Sequence, residues 1–413
     1  MCATGQHAEV TEAITMTTIS SLELRSKITS EGRLELWLEK VTVPKPAADE
    51  VVVRIDAAPL NPSDIILLLG PAEPASIQAG GTPTHPTASA NIPPEHMPGL
   101  KARLDKALPV GNEGAGIVVD AGSDVQALVG RTVAARSQLG MYAQYRVLKA
   151  SDCLVLPDGV SPREGASAFI NPLTVLGMVE TMHQDGHSAL VHAAGASNLG
   201  QMLNRVCLKD RIPLVNIVRS QAQTEILKQL GAKYVLDSTS PTFRRELVEA
   251  IAETGATLAF DAIGGGTMAG TIVAAMEEAL SAKGESYSRY GSPIHKQVYI
   301  YGVLNPGPRI LEGNLGTAWG VGGWLMTWFY EKIDSATAQR LRDRVTNELT
   351  NTFASHYASE ISLADVLSPE IIVAFSRRAT GEKFLICPSG TKSCNWRSER
   401  DSHPRAPETQ ETQ

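Results

Sequence analysis

The stretch SALVHAAGASNLG, residues 188–200, decides the fold of this chain. A largely apolar run leads into Gly195, Ser197 and Gly200, which stand at the three positions of a G-x-G-x-x-G turn, with serine in the middle position. Small residues permit a tight turn and a close approach to phosphate, and Gly200 lets the following helix pack against the strand. The stretch therefore predicts a strand, a dinucleotide-binding turn and a helix.

The same alternation continues along the second half of the chain. Near-continuous apolar runs predict buried strands, and the segments between them fit helices. Strands that lack polar alternation and are joined by helices imply a parallel sheet covered on both faces. The predicted strands are residues 188–194, 213–219, 234–238, 257–263 and 297–303, and the predicted helices include residues 199–209 and 221–230. We therefore predict an α/β fold with a doubly wound, parallel-sheet Rossmann domain.

The helix that follows the glycine turn offers free N–H groups and a positive partial charge to a phosphate. In an open parallel sheet, ligands bind outside the carboxyl ends of the strands. The residues expected to contact a dinucleotide therefore belong to the turn and to the ends of two later strands: Gly195, Ser197, Asn198, Leu199, Gly200, Ile263, Gly264, Tyr301, Gly302 and Val303. The alternative is a tight turn in an α/β domain that binds no ligand.

The end of the second strand distinguishes NAD from NADP. An NAD site carries an acid about 20 residues beyond the glycines, where it binds the ribose diol. Residues 215–220, VNIVRS, contain no acid, and Arg219 stands where a 2′-phosphate would lie, with Ser220 beside it. A guanidinium binds phosphate in a bidentate manner, whereas a carboxylate would repel it. The sequence therefore favours NADPH as the cofactor.

The first half of the chain has a different pattern. Short apolar bursts separated by glycines predict a β-rich lobe, with strands near residues 34–38, 51–55, 110–119 and 131–149. Residues 70–99 are rich in Pro, Gly, Ala and Thr, and they predict a long loop that is mobile or closes over a site.

The last part of the ordered chain predicts a helix at about residues 335–350 and a strand at residues 384–386.

Composition and charge exclude some classes of function. The 413 residues carry a net charge of −7, which argues against nucleic-acid or anionic-membrane binding, because both require a basic surface. No run reaches the roughly 18–20 apolar residues of a membrane span. The five cysteines are scattered and never form Cys-x2-Cys, which favours a reducing compartment. We therefore expect a cytoplasmic protein with neither a nucleic acid nor a membrane as its partner.

Four further segments resemble a known family. They are AAPLNPSD (57–64), GNEGAG (111–116), NPLT (171–174) and TGEK (380–383), the last followed by an apolar strand. Together with the glycine turn, they make the chain resemble the zinc-independent medium-chain dehydrogenases/reductases, namely quinone oxidoreductases of the zeta-crystallin type and the related mitochondrial-type 2-enoyl thioester reductases. The resemblance covers about residues 20–388.

The resemblance implies a two-lobed architecture. A GroES-like, β-rich catalytic lobe of residues 19–172, completed by residues 346–388, would wrap around a Rossmann NADPH-binding domain of residues 173–345. The cofactor would lie in the cleft between them. Outside the range of the resemblance, residues 1–18, which lack an apolar run, and the polar residues 389–413 predict a disordered extension and a disordered tail. Dimers are usual in such families, so we expect a homodimer that acts on a small-molecule substrate.

Zinc is not expected. The zinc alcohol dehydrogenases of this superfamily carry a ligand cysteine where this chain has residues 61–64, and Gly-His-Glu where it has Gly111-Asn112-Glu113. Both ligands and the four-cysteine structural lobe are missing. Without these nitrogen and sulfur ligands, no metal site is predicted.

The resemblance also implies which residues lie near the reacting groups. Asn61 and Thr174 would lie near the nicotinamide or the substrate. Tyr142, in the segment GMYAQY (140–145), would lie near the cofactor, where its phenol could donate to an enolate or quinone oxygen. The alternative for Tyr142 is a half-buried sheet tyrosine.

Three functions remain open. The leading one is hydride transfer from NADPH to a quinone or an α,β-unsaturated carbonyl. The second is reduction of a 2-enoyl thioester, with Lys101, Arg103 and Lys106 as a basic entrance for the carrier, although a solvated helix face explains these residues equally well. Such reductases carry a tyrosine just after the Asn-Pro-Ser-Asp segment, and residues 65–71 contain none. The third is a non-catalytic NADPH-binding protein.

The segment WGVGGWLMTWFY, residues 319–330, contains three tryptophans among small residues. It would wall an apolar substrate pocket or form a dimer contact. The alternative is a buried core helix.

Overall fold

The computed structural model describes residues 19–284 and 287–390. The extension predicted at residues 1–18 lies outside the described residues, as does the predicted tail from residue 391 onward. Where that tail was predicted to begin, the Ser389 hydroxyl donates to the Ile55 carbonyl oxygen at 2.9 Å, so this residue is still attached to the fold. The other predicted domain limits stay predictions.

The first half of the chain forms antiparallel β-structure, as its short apolar bursts predict. Its strands pair in the orders β4-β5-β2-β1-β6 and β10-β8-β7-β3, and β9 also pairs with β3. The strands are β1 (Ser20–Ile28), β2 (Arg33–Thr42), β3 (Glu50–Pro59), β4 (Gln78–Thr82), β5 (His85–Asn91), β6 (Leu108–Pro109), β7 (Glu113–Ala121), β8 (Thr132–Arg136), β9 (Tyr145–Lys149) and β10 (Cys153–Val155), and the helices are α1 (Pro62–Leu69) and α2 (Pro162–Gly165).

The prediction of a long loop at residues 70–99 is wrong. Strands β4 and β5 form an antiparallel hairpin within it, and β5 also pairs with β2. Ala88 and Ala90 of β5 are buried in the core of this lobe. Alanine is too small and too weakly apolar to reveal the alternation, so the burial arises from pairing with β2. The segment widens a sheet.

The second half forms a six-stranded parallel sheet in the order β13-β12-β11-β14-β16-β18. This is the order 3-2-1-4-5-6 of doubly wound dinucleotide-binding sheets, so the predicted Rossmann fold is confirmed. The strands are β11 (Leu190–Ala193), β12 (Leu214–Val218), β13 (Tyr234–Asp237), β14 (Leu258–Asp261), β15 (Gly264–Gly266), β16 (Lys296–Ile300), β17 (Asn305–Arg309) and β18 (Trp319–Gly323), and the helices are α3 (Ile170–Gln184), α4 (Asn198–Asp210), α5 (Gln221–Gln229), α6 (Phe243–Thr254), α7 (Met268–Lys283), α8 (Met326–Tyr330) and α9 (Ser335–Asn347).

The segment of residues 319–330 is not a single buried helix. Its first part is the edge strand β18 and its last part is the short helix α8. Trp324 packs edge-on against Phe260, with 5.6 Å between the ring centroids, whereas Trp328 is 58% exposed. Three glycines among the five residues of β18 favour an extended edge strand over a helix. A pocket or dimer role for this segment stays a prediction.

The end of the described chain returns to the first lobe. It contains β19 (Ser359–Ile361), α10 (Pro369–Ser376) and β20 (Phe384–Ile386), and β20 pairs antiparallel with β3. The predicted helix near residues 335–350 and the predicted strand at residues 384–386 are both present. Within the described ranges, we find no helix whose length and apolarity would allow it to cross a membrane.

Candidate functional site

The glycine turn between β11 and α4 has no room for side chains at two positions. A Cβ on Gly200 would stand 2.2 Å from the Gly195 carbonyl oxygen, and a Cβ on Gly195 would stand 2.9 Å from the Cβ of Asn216 on β12. Ser197, at the middle position, caps α4, because its Oγ accepts from the Gly200 N–H at 3.1 Å. The turn thus keeps glycine at the first and third positions, where a Cβ would clash, and has a helix-capping serine at the middle position.

The turn and the later strand ends lie at one edge of the sheet. Gly195 follows β11, Arg219 follows β12, Ile263 follows β14 and Tyr301 follows β16. Because these four strands are parallel neighbours, the residues that follow them emerge on the same side. Strand β11 lies between β12 and β14, so the strand order reverses there, which is where such sheets bind ligands. The structure therefore brings the predicted cofactor residues to one edge, and their contact with a cofactor stays a prediction.

Asp261, the last residue of β14, shapes the turn at Ile263 and Gly264. Its carboxylate accepts from the Ile263 N–H at 2.7 Å and from the Gly264 N–H at 3.3 Å. Burial raises the pKa of Asp261, and the two N–H donors oppose that effect. Asp261 was not among the predicted residues, although an acid at the end of an apolar strand is a usable signal.

The Tyr301 side chain is turned into the sheet. Its hydroxyl lies 2.8 Å from Nε2 of His192 on β11. Burial lowers the pKa of His192 to about 3, so the imidazole is neutral and shares one hydrogen bond with the phenol at Nε2. The ring of Tyr301 is therefore fixed in the sheet. The groups that this strand end offers to a ligand are the backbone of Tyr301, Gly302 and the half-exposed Val303.

Arg219 is exposed at the end of β12, and the described part of the chain offers it no ion pair. Its backbone N–H donates to Oε1 of Gln223 at 3.0 Å, and Nε2 of the same glutamine donates to the Thr380 hydroxyl at 2.8 Å. Ser220 caps α5 by accepting from the Gln223 N–H. The C-terminal TGEK segment therefore lies against the strand end that carries Arg219.

A second cation belongs to this region. Arg378 lies two residues before Thr380, is partly buried, and has a backbone φ of +49°, which is unusual for a residue other than glycine. Burial lowers the pKa of its guanidinium. Among the described residues it has no ion pair. Arg378 was not among the predicted residues, because only the long-range Gln223–Thr380 contact brings its segment to the start of α5.

Asn61 and Thr174 are linked through Glu113. The Asn61 side-chain amide donates to Oε1 of Glu113 at 2.9 Å, and Oε2 accepts from the N–H groups of Phe169 and Ile170 at 3.0 and 2.7 Å. The Thr174 hydroxyl donates to the Ile170 carbonyl oxygen at 2.6 Å, which leaves its oxygen free to accept. The two predicted residues are therefore close in the fold, although 113 positions separate them in the sequence.

Tyr142 belongs to the core, which contradicts its predicted accessibility as a proton donor. The side chain is fully buried, and its hydroxyl donates to the Pro59 carbonyl oxygen at 3.0 Å. Burial, together with the nearby carboxyl of Asp64, raises the pKa of the phenol well above its usual value. The structure favours the alternative of a structural tyrosine.

Two ionisable groups near Asn61 are perturbed by burial. Burial raises the pKa of Asp64 to about 7. Two backbone N–H groups, those of Asn61 and Asn112, oppose this effect by donating to the Asp64 carboxylate, each at 2.9 Å. Burial lowers the pKa of Lys383 to about 8, and its ammonium group donates to the Ser167 hydroxyl at 2.8 Å. Perturbed groups of this kind concentrate at functional sites, and this cluster underlies Asn61.

The basic entrance suggested for a thioester carrier is not supported at Arg103. Its guanidinium donates to the Ser26 hydroxyl at 2.8 Å and to the Leu67 carbonyl oxygen at 2.5 Å. It therefore holds the end of α1. Lys106 is exposed, and its ammonium group donates to the Ala102 carbonyl oxygen.

Along residues 19–284 and 287–390, no three His, Cys, Asp or Glu side chains form a group that could hold a metal ion.

The chain is similar in sequence to known reductases. No protein-family model matches it. It is 28% identical over 240 residues to the mitochondrial enoyl-[acyl-carrier-protein] reductase of Caenorhabditis elegans, covering 56% of this chain and 60% of the relative. It is 28% identical over 171 residues to a quinone oxidoreductase of Pseudomonas aeruginosa, covering 40% and 50% of the two chains. The chain thus matches only half to three fifths of the length of these relatives.

The fold comparison covers more of the chain. The crystal structure of a Mesorhizobium loti protein assigned as an NADPH:quinone reductase superposes with a TM-score of 0.67 over 90% of this chain and 100% of the other, at 22% identity. That match shows the shared two-lobed fold, with its GroES-like and Rossmann parts. In sequence and in fold, therefore, the chain is similar to the zinc-independent medium-chain reductases that its motifs resemble.

Proposed function

We propose that this chain is an NADPH-dependent reductase that transfers hydride to a quinone or an α,β-unsaturated carbonyl without zinc. The observation that carries the proposal is the exposed Arg219 at the end of β12, beside a glycine turn where neither Gly195 nor Gly200 tolerates a Cβ. A 2′-phosphate needs a cation, and a pyrophosphate needs close backbone approach at a helix N-terminus. Both features lie at one edge of the sheet. The likeness to a quinone oxidoreductase supports the choice of acceptor.

Each group of residues would have its own role in such a reaction. NADPH would supply the hydride. The turn and the first residues of α4, Asn198 and Leu199, would hold the pyrophosphate, and Arg219 and Arg378 would bind the 2′-phosphate. Asn61 and Thr174 would orient the reacting groups.

No side chain is assigned as proton donor. The Tyr142 hydroxyl already donates to the Pro59 carbonyl oxygen and is fully buried. The final proton therefore comes from water in this mechanism.

The test is NADPH oxidation by the full chain, with 1,4-quinones, enones and a 2-enoyl-CoA as parallel acceptors and NADH as the comparison cofactor. Turnover of quinones or enones with NADPH preferred is the expected result. Arg219→Asp should lower the preference for NADPH by about tenfold or more, because a charge-assisted bond to phosphate is replaced by repulsion. Arg33→Asp, at an exposed arginine of β2, is the matched control and should keep the preference.

A second candidate is reduction of a 2-enoyl thioester. The worm relative, named as an enoyl-[acyl-carrier-protein] reductase, favours it. The absence of tyrosine from residues 65–71 and the structural role of Arg103 weigh against it. Turnover confined to the CoA ester would select this candidate, and tight NADPH binding without any turnover would select the non-catalytic alternative.

We also propose that the protein is a homodimer that functions in the cytoplasm. Strand β18 ends the parallel sheet and would pair with its copy. The compartment is tested by cell fractionation, since the worm relative is named as mitochondrial.

A further inference from the structure

The carboxylate of Glu113 joins the starts of two helices, α1 and α3, that lie far apart in the sequence. Asn61 directly precedes α1, and Ile170 is the first residue of α3, one turn before Thr174. Oε1 of Glu113 binds the Asn61 amide, and Oε2 binds the N–H groups at the start of α3. The distance between these two elements is therefore set by one side chain.

This carboxylate has little freedom to move. Glu113 is fully buried at the start of β7, whose next residues pair with β8 on one side and β3 on the other. Three N–H donors converge on it, and each buried donor left unpaired costs about 1–3 kcal/mol. Attraction to the Lys383 ammonium partly offsets the effect of burial on its pKa. The Glu113 carboxylate and its three N–H donors therefore fix one another in position.

The position of Glu113 excludes direct contact with a substrate. Its side chain is closed off from solvent, and both oxygens are occupied by protein donors. The residues that it binds, by contrast, carry the groups proposed to face the nicotinamide. Its action on the reaction must therefore pass through Asn61 and α3.

We propose that Glu113 is a positioning residue that sets the placement of Asn61 relative to Thr174 around the reacting ring, an inference that rests on the proposed reductase function. Glutamine at this position offers one acceptor oxygen and turns an NH2 group toward N–H donors. The two elements then separate by a fraction of an ångström or more, and misplacement of about 1 Å costs up to about 100-fold in rate. The end of the site that binds the 2′-phosphate is unaffected.

The experiment compares Glu113→Gln with Glu277→Gln in the full chain. Glu277 is the matched control, since it is also a buried glutamate with a lysine partner. It accepts from Lys296 Nζ at 2.5 Å, from the Ser281 hydroxyl at 2.7 Å and from the Ser292 N–H at 2.8 Å. The measurements are kcat, the primary isotope effect with 4-deuterated NADPH, and the affinities for NADPH and for 2′,5′-ADP, which lacks the nicotinamide.

The expected result for Glu113→Gln is a kcat lowered by about tenfold or more with a larger isotope effect, and an unchanged affinity for 2′,5′-ADP. Glu277→Gln should lose stability but keep kcat and the isotope effect per folded molecule. Wild-type kcat in Glu113→Gln, or the same fall in both variants, overturns the inference, because the second result shows a general effect of core damage.

Two further arrangements keep the test decisive. If Glu113→Gln does not fold, Glu113→Asp retains the charge but retracts it from α3, and the same outcomes apply. If the wild type shows no turnover with any acceptor, the proposed reductase function fails. The inference is then decided by binding alone: Glu113→Gln must narrow the difference between the NADPH and 2′,5′-ADP affinities, and an unchanged difference refutes it.

Discussion

The backbone N–H of Trp324 donates to the carbonyl oxygen of Ile300 at 2.9 Å and so fixes the orientation of the edge strand β18. Because alternate residues of a strand point the same way, Gly322 also faces β16, and the N–H of Gly323 points away from the sheet. An outward row of backbone groups is a template for pairing with another chain. Gly323 is therefore a position where pairing can be blocked without damage to the fold.

Gly323→Pro is expected to convert the proposed homodimer into a monomer, since proline removes the outward N–H. A Cβ at this position meets no atom within 4 Å, so the folded state should survive. Light scattering after size exclusion gives the mass, and Gly323→Ala should remain dimeric. A dimer that persists in the proline variant would show that another surface forms the contact.

Gly200→Ala should damage the proposed cofactor site. The added Cβ would stand 2.2 Å from the Gly195 carbonyl oxygen, so the turn must open, at a cost of about 1–3 kcal/mol in unfolding free energy. NADPH affinity should fall with it, because the N–H groups at the start of α4 move away from the phosphate. Titration of NADPH fluorescence measures the affinity. Gly99→Ala, where a Cβ meets nothing, should bind as the wild type does; equal affinity in both variants would argue against a phosphate at this turn.

Tyr142→Phe separates a structural tyrosine from a proton donor. Loss of the hydrogen bond to the Pro59 carbonyl should lower the unfolding free energy by about 0.5–1.5 kcal/mol, with kcat nearly unchanged. Denaturant unfolding and steady-state kinetics on the same sample distinguish the two roles. A kcat lowered by several orders of magnitude at wild-type stability would restore Tyr142 as the donor.

Asp64 should make stability fall as pH rises through the acidic range. Its pKa is about 7 in the folded protein against 3.8 for the ordinary group, so the folded state binds the extra proton between these values. By linkage, unfolding free energy then decreases as pH rises from about 4 to about 7, by about 1.4 kcal/mol for each unit of the shift. Asp64→Asn should remove this contribution.

Unfolding of the wild type and of Asp64→Asn at a series of pH values measures it. As pH rises, the unfolding free energy of Asp64→Asn should increase relative to that of the wild type. For Asp120→Asn, at an exposed aspartate of β7, the unfolding free energy should follow the wild-type curve in parallel. A parallel curve for Asp64→Asn as well would show that this carboxyl is not buried in its neutral form.

Local sequence was sufficient to predict a helix or strand where the apolar pattern lies within the segment itself. The apolar run at residues 213–219 became β12, and the helix predicted at residues 221–230 became α5. Local sequence failed to predict the structure where a segment is buried only through its pairing with another strand. The alanines of β5 show no clear periodicity, and only pairing with β2 makes them part of a core. In residues 319–330, the alternative of a single buried helix was wrong, because the glycines of β18 favour an edge strand.

The candidate site divides in the same way. The glycine turn is encoded within the six residues from Gly195 to Gly200, because steric limits on a turn are local, and the absence of an acid beside Arg219 could be read directly. The sequence by itself thus determined the Rossmann sheet and its glycine turn, and it contains the Arg219 signal on which the proposed preference for NADPH rests. Only the tertiary structure decided that Glu113 binds Asn61 and the start of α3, that Thr380 lies against Gln223, and that Tyr142 is buried. These contacts join residues from distant parts of the chain, and hydrogen bonds of that kind depend on packing that no local pattern records.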